Sequence, residues 1–159
     1  MEFNYDQTRV ELPIKLFNTD YEISPPLNMV LINNRITSWS KIIDFFPFTI
    51  DSTNCKVFLN QRNNSMFLIT ISHISPQVRY DDILKVTNLN LNSETKFKKD
   101  DLLIKQFVYS DSKNIMIIFI HPQKKFNIEL YFLIPSNVYN SYSRNIESAI
   151  SSFNKIRRL

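Results

Sequence analysis

The alternation of apolar and polar positions is clearest from residue 102 onward. Three apolar runs, 102–109, 115–120 and 126–134, are separated by Asp111-Ser112-Lys113-Asn114 and by Pro122-Gln123-Lys124-Lys125, and connections this short make successive strands antiparallel. In the last run Phe126, Ile128, Leu130 and Phe132 fall on one face, with Asn127, Glu129 and Tyr131 on the other. Pro135-Ser136-Asn137 ends this meander and is expected to cap a final helix. Tyr139, Tyr142, Ile146, Ala149, Ile150, Phe153 and Ile156 form its apolar stripe, and Arg157-Arg158 complement its dipole.

Upstream the periods are shorter. Residues 3–12 and 20–32 carry strand-like spacing, interrupted by Pro13 and Pro25-Pro26, which places them at edges or strand starts. Ile36, Trp39, Ile42, Ile43 and Phe46 follow helical spacing, with Thr37 or Ser38 to cap and Pro47 to stop the run. Residues 56–59 and 66–72 read as a hairpin around Asn63-Asn64. Ser75-Pro76 opens a second short helix with Val78, Ile83, Leu84 and Val86 facing inward and Arg79, Asp81, Asp82 and Lys85 in water. The order is ββ-α-ββ-α-βββ-α, an α+β fold with helices packed on an antiparallel sheet. A chain of 159 residues without a Pro- or Ser-rich divide fits a single domain, 1–159.

Composition changes the turn chemistry. The chain has no glycine, where average usage would supply roughly eleven, and 18 asparagines, so the left-handed backbone positions of turns fall to Asn. A single alanine, Ala149, against 21 isoleucines points to an AT-rich genome. Without glycine there is no Gly-rich phosphate loop, dinucleotide fingerprint or Gly-flanked nucleophile elbow.

The net charge of +4 is mild. Its two basic clusters, Lys96-Phe97-Lys98-Lys99 before Asp100-Asp101 and the terminal Lys155-Ile156-Arg157-Arg158, read as a charged loop and a charged helix end. No nucleic-acid face follows from them. The lone Cys55 excludes an internal disulfide, and Cys-His catalysis would have to recruit His73 or His121, each at the end of an apolar run. Those two histidines offer no third metal ligand, and Asp81-Asp82, Asp100-Asp101 and Glu147 read as solvated carboxylates. The expectation is a protein with no catalytic residue, metal or cofactor. The N-terminus has neither the basic nor the apolar region of a signal peptide, and the run 115–120 is too short to span a bilayer, so a cytoplasmic location without membrane insertion is expected.

Phe107-Val108-Tyr109-Ser110, the strand 115–120, the strand 126–134 closing on Pro135, and a helix finishing in Ser152-Phe153 together resemble the C-terminal half of the PsbP/Mog-like α/β/α sandwich. In such a pair the aromatic docks the helix end on the sheet and the serine allows close approach. Phe3-Asn4, Val10-Glu11-Leu12-Pro13 and Asp20-Tyr21-Glu22-Ile23 are similar to the opening of the DcrB-like and EagR-type branch. That resemblance implies a non-enzymatic binding module. EagR-type proteins are cytosolic, dimeric chaperones that shield the transmembrane segments of type VI secretion effectors. A chaperone or adaptor in bacterial protein secretion, engaging an effector or apparatus protein and able to pair with a second copy of itself as a homodimer, is therefore expected. A structural subunit or immunity-like protein that binds one folded partner is the alternative. The candidate partner surface comprises Trp39, Phe45, Phe46 and Phe48, with Tyr109 and Tyr131 at outward strand positions.

Overall fold

The computed structural model describes residues 4–32, 54–86, 88–99 and 102–155. Among the described residues ten strands and two α-helices follow a one-turn 3-10 segment at Gln7–Arg9: β1 (Ile14–Lys15), β2 (Tyr21–Ile23), β3 (Val30–Ile32), β4 (Cys55–Asn60), β5 (Ser65–Ser72), α1 (Pro76–Leu84), β6 (Asn90–Lys99), β7 (Leu102–Ser110), β8 (Asn114–Pro122), β9 (Asn127–Pro135), α2 (Tyr139–Ser151) and β10 (Asn154–Lys155). Seven of the strands make one antiparallel sheet in the order β3-β4-β5-β9-β8-β7-β6, and β1, β2 and β10 make a smaller one.

The hairpins close without glycine. In the β4–β5 turn Asn64 adopts φ 59°, its N–H donates to the Asn60 carbonyl at 2.8 Å, and Asn63 Oδ1 accepts from Ser65 N at 2.9 Å. Asp111 Oδ1 performs the same task between β7 and β8, accepting from Lys113 N at 2.7 Å and Asn114 N at 2.6 Å.

The sheet separates two apolar layers. On one face Val57, Leu68, Phe107, Ile118 and Tyr131 pack against Tyr80 and Ile83 of α1. On the other, Phe67, Ile69, Phe119, Leu130 and Phe132 meet Tyr142, Ile146 and Ile150 of α2, together with Leu16, Ile23 and Met29 from the N-terminal segment. Every residue of β5 is buried, which is why its sequence runs apolar on both faces. Phe67 and Phe132 occupy directly opposed positions of β5 and β9, and their rings stack at 4.3 Å and 4°. This is the α/β/α sandwich.

Several local expectations are corrected. Lys96-Phe97-Lys98-Lys99, read as a charged loop, belong instead to strand β6, which among the described residues ends the sheet; a strand with solvent on its outer side tolerates polar residues on both faces. The N-terminal strands are shorter than the pattern suggested, and Leu12 is exposed beside an isolated Val10–Pro26 bridge. α1 is capped by Ser75 as expected, with Oγ accepting from Val78 N, but its phase differs. Arg79 and Tyr80 are buried with Ile83, while Val78 and Leu84 are exposed, because the Arg79 charge finds a buried partner on the sheet. α2 lacks a side-chain cap: Val138 is the N-cap, held by a backbone turn from its N–H to the Pro135 carbonyl at 2.9 Å. It ends at Ser151, and the chain turns into β10 along β2 rather than continuing the helix towards Arg157-Arg158. The helix expected over 36–46 lies outside the described residues. Among the described residues no helix is long and apolar enough to cross a membrane.

Candidate functional site

Tyr109 and Tyr131 point to the same face of the sheet, and both are buried beneath α1 rather than presented outward. Tyr109 donates its hydroxyl hydrogen to the Ile83 carbonyl at 2.7 Å, so it anchors the helix. Alternation placed Tyr131 opposite the Phe126 face correctly, but Tyr131 and Tyr109 were both expected to point outward, and α1 covers them. Trp39, Phe45, Phe46 and Phe48 lie outside the described residues.

The polar chemistry of the covered face is concentrated at one point. Glu129, near the start of β9, is fully buried and accepts from Arg79 Nε at 2.8 Å through Oε1. Its Oε2 accepts from the Tyr131 hydroxyl. Arg79 Nη2 donates to Ser72 Oγ at 3.3 Å, and Arg79 Nη1 lies 3.8 Å from Asp82. Burial pushes the Glu129 carboxyl above the usual carboxylate range, against the opposing pull of Arg79. Burial also drives the Tyr131 phenol well up, and the neighbouring Glu129 charge adds to this. A carboxylate held by an arginine and a phenol could move a proton. With Glu129 and Tyr131 at 0% exposure, however, the group is shut off from any solute and serves to clamp α1 to the sheet. The sequence carried one signal of it, a glutamate inside an apolar run, but gave no reason to turn Arg79 inward.

The other titratable candidates are dispersed. Cys55 is buried in the α1-side layer, whereas the His121 ring packs 4.2 Å from Phe153 on the opposite side of the sheet. His73 is exposed just past the end of β5, with β9 between that strand and β8, which carries His121. Phe153 itself does what the Ser152-Phe153 pair implied. It is buried, stacks on Tyr21 at 5.3 Å, and is preceded by a serine whose Oγ accepts from Ser24 N at 2.8 Å.

The accessible apolar surface lies at the rim. Val30 and Leu31 are 60% and 55% exposed on β3, at one end of the sheet. Successive strand residues point to opposite faces, so both faces of β3 are open at these two positions, while Ile32 beside them packs on the α1-side layer. At the far end β6 is exposed almost throughout. Lys105 of β7 stands directly opposite Lys96 of β6, and that like-charge pairing is relieved by Glu94, 2.9 Å from Lys105 Nζ, and by the Tyr80 ring at 4.2 Å.

No protein-family model matches the chain, and no curated protein matches it in sequence. Among solved structures, cyanobacterial PsbP (CyanoP) from Synechocystis sp. PCC 6803 superposes with a TM-score of 0.66 over 92% of this chain and 93% of that one, at 11% identity. The fold is PsbP-like. A protein from Bacteroides thetaiotaomicron aligns over 87% of this chain and 45% of its own, with a TM-score of 0.42 at 12% identity, a likeness too slight to build on. The PsbP-like architecture accounts for the two covered faces of the sheet, and among the described residues no strand pairs with the outer side of β3 or of β6.

Proposed function

We propose that this chain is a non-enzymatic protein-binding module, acting as a chaperone or adaptor in bacterial protein secretion that engages an effector or apparatus protein. The observation that carries the reading is the apolar rim at β3. Val30 and Leu31 are exposed in succession on β3, which among the described residues ends the sheet, and there an apolar segment of a partner can gain both side-chain burial and main-chain hydrogen bonds. The buried charges favour the same reading, since Glu129 and Arg79 are committed to holding the fold. The N-terminal resemblance to the DcrB-like and EagR-type branch supplies the secretion context, and with it a cytoplasmic site of action before export.

The test is co-expression of the tagged chain with effector and apparatus proteins encoded beside its gene. Retention of an effector bearing an apolar transmembrane segment, lost in a Val30→Asp/Leu31→Asp variant that keeps its circular dichroism, is the expected result. Retention of a soluble folded partner instead would favour an immunity-like or structural subunit. Retention of neither would remove the reading.

A further inference from the structure

The β3 rim carries a chemistry more specific than apolarity. β6, at the other end of the sheet, bears Glu94, Lys96 and Lys98, charges of the kind that discourage edge pairing, whereas β3 consists of Val30, Leu31 and Ile32 and bears none. Leu31 stands opposite Phe58, a member of the α2-side layer, while Val30 and Ile32 stand opposite Leu59 and Val57, which pack on the α1 side. Leu31 therefore faces the α2 side and its two neighbours the α1 side.

One cation shares the face of Leu31. Lys56 is opposite Ile69, another α2-side residue, and lies one position beyond Val57 on β4. Among the described residues no carboxylate pairs with it, and its Nζ lies 5.5 Å from the centroid of the Phe17 ring. Phe17 reaches that place at φ 48°, in the left-handed region that a bulky residue avoids, within a turn closed by Thr19 N–H donating to the Leu16 carbonyl at 3.0 Å. Backbone strain of this kind concentrates at ligand clamps. Here it holds an aromatic ring against a lysine beside the apolar rim.

We propose that β3 takes an antiparallel strand of a partner protein, a glutamate followed by three apolar residues, whose carboxylate is held by Lys56. The proposal rests on the protein-binding reading above and specifies its ligand. Running antiparallel, the three apolar residues meet Ile32, Leu31 and Val30 in turn. Because Val30 and Leu31 are exposed on opposite faces, the run has to be apolar at every position rather than at alternate ones. The glutamate comes one position earlier, level with Lys56 and on the same face. Two strand spacings, about 9.6 Å, separate the two backbones, a span that an extended lysine and glutamate close together.

The test is fluorescence anisotropy with labelled, C-terminally amidated peptides containing Glu-Val-Leu-Val, Gln-Val-Leu-Val or Lys-Val-Leu-Val. Each is titrated with the wild type, with Lys56→Glu and with Val30→Asp/Leu31→Asp, all checked by circular dichroism, and hydrogen exchange follows the β3 amides. The wild type is expected to bind the glutamate peptide, with slower β3 exchange, and the glutamine peptide about fivefold more weakly, the scale of a rim ion pair. Lys56→Glu should turn the preference towards the lysine peptide. Equal binding of the three peptides to the wild type, lost only in Val30→Asp/Leu31→Asp, overturns the proposal and leaves the apolar-rim reading intact. So does retention of an effector on co-expression with no peptide bound. β3 amides already protected in the free chain overturn it as well, since the edge would then be occupied by this chain itself. Failure of both peptide binding and effector retention removes the reading together with the proposal.

Discussion

Arg79 Nε donates to Glu129 Oε1 at 2.8 Å, and both side chains are out of contact with water, at 2% and 0% exposure. Each charge is tolerable in the interior only because of the other, so the pair is far more costly to break than to replace. Glu129→Ala, leaving Arg79 buried beside Ser72 and Asp82, should destabilise the protein by about 3–5 kcal/mol in urea unfolding. Replacing both together, Arg79→Met with Glu129→Leu, should recover most of that loss. A double variant no better than the single one would refute the clamp.

Phe153 joins the end of α2 to the sheet through Tyr21 and His121. Phe153→Ala should cost about 3–5 kcal/mol, the range for a buried aromatic replaced by a methyl group. A thermal midpoint equal to that of the wild type would show that the helix end is not docked.

Alkaline pH should unfold this protein early, and the sign follows from its tyrosines. Burial raises the Tyr142 phenol from 10.0 to about 12, and burial likewise raises Tyr131, Tyr109 and Tyr80. A raised value in the folded state means that, above pH 10, the unfolded chain releases protons that the folded chain retains. Stability is therefore complete below the unfolded value and is lost as pH rises through the folded one. For Tyr142 that window runs from 10.0 to about 12, with a limiting slope of about 1.4 kcal/mol per pH unit for each such group. Urea midpoints measured across this range, alongside tyrosinate absorbance, check it. Tyr142→Phe, which removes the titrating group together with its hydrogen bond to the Leu27 carbonyl, should flatten the curve.

Asn64, at φ 59°, holds the β4–β5 turn in the left-handed region. Asn64→Gly should leave stability equal or higher, whereas Asn64→Val should lower it by about 1–2 kcal/mol, the cost of a Cβ branched against the following carbonyl. Chemical denaturation of the two variants side by side decides the matter. Equal midpoints would mean that the turn relaxes away from that conformation.

The C-terminal half was legible because its apolar runs are uninterrupted and its turns short. Strands 102–110, 114–122 and 127–135 fall where alternation placed them, and Ser75-Pro76 started α1 where capping chemistry said it would. What escaped was decided by distant contacts. Arg79 turned inward because Glu129 waits on a strand 50 residues later, and a helix read on its own would keep that charge in water. Tyr131 was assigned its face correctly, but both it and Tyr109 were expected outward, since which face α1 covers is a tertiary fact. β6 escaped because an edge strand need not alternate.

Seen as a folding problem, the large sheet is two runs of sequence-adjacent strands, β3-β4-β5 and β6-β7-β8-β9, meeting only along β5 and β9. Within each run the strands pair with chain neighbours. Within the large sheet the seam joins the most widely separated parts of the chain, and ordering the intervening segment is the entropically expensive event. The Arg79–Glu129 contact spans that seam, so it cannot form before the two halves meet; once formed, it resists their separation. Substitutions at the pair should thus register mainly in the unfolding rate, and those along β5 and β9 in the folding rate.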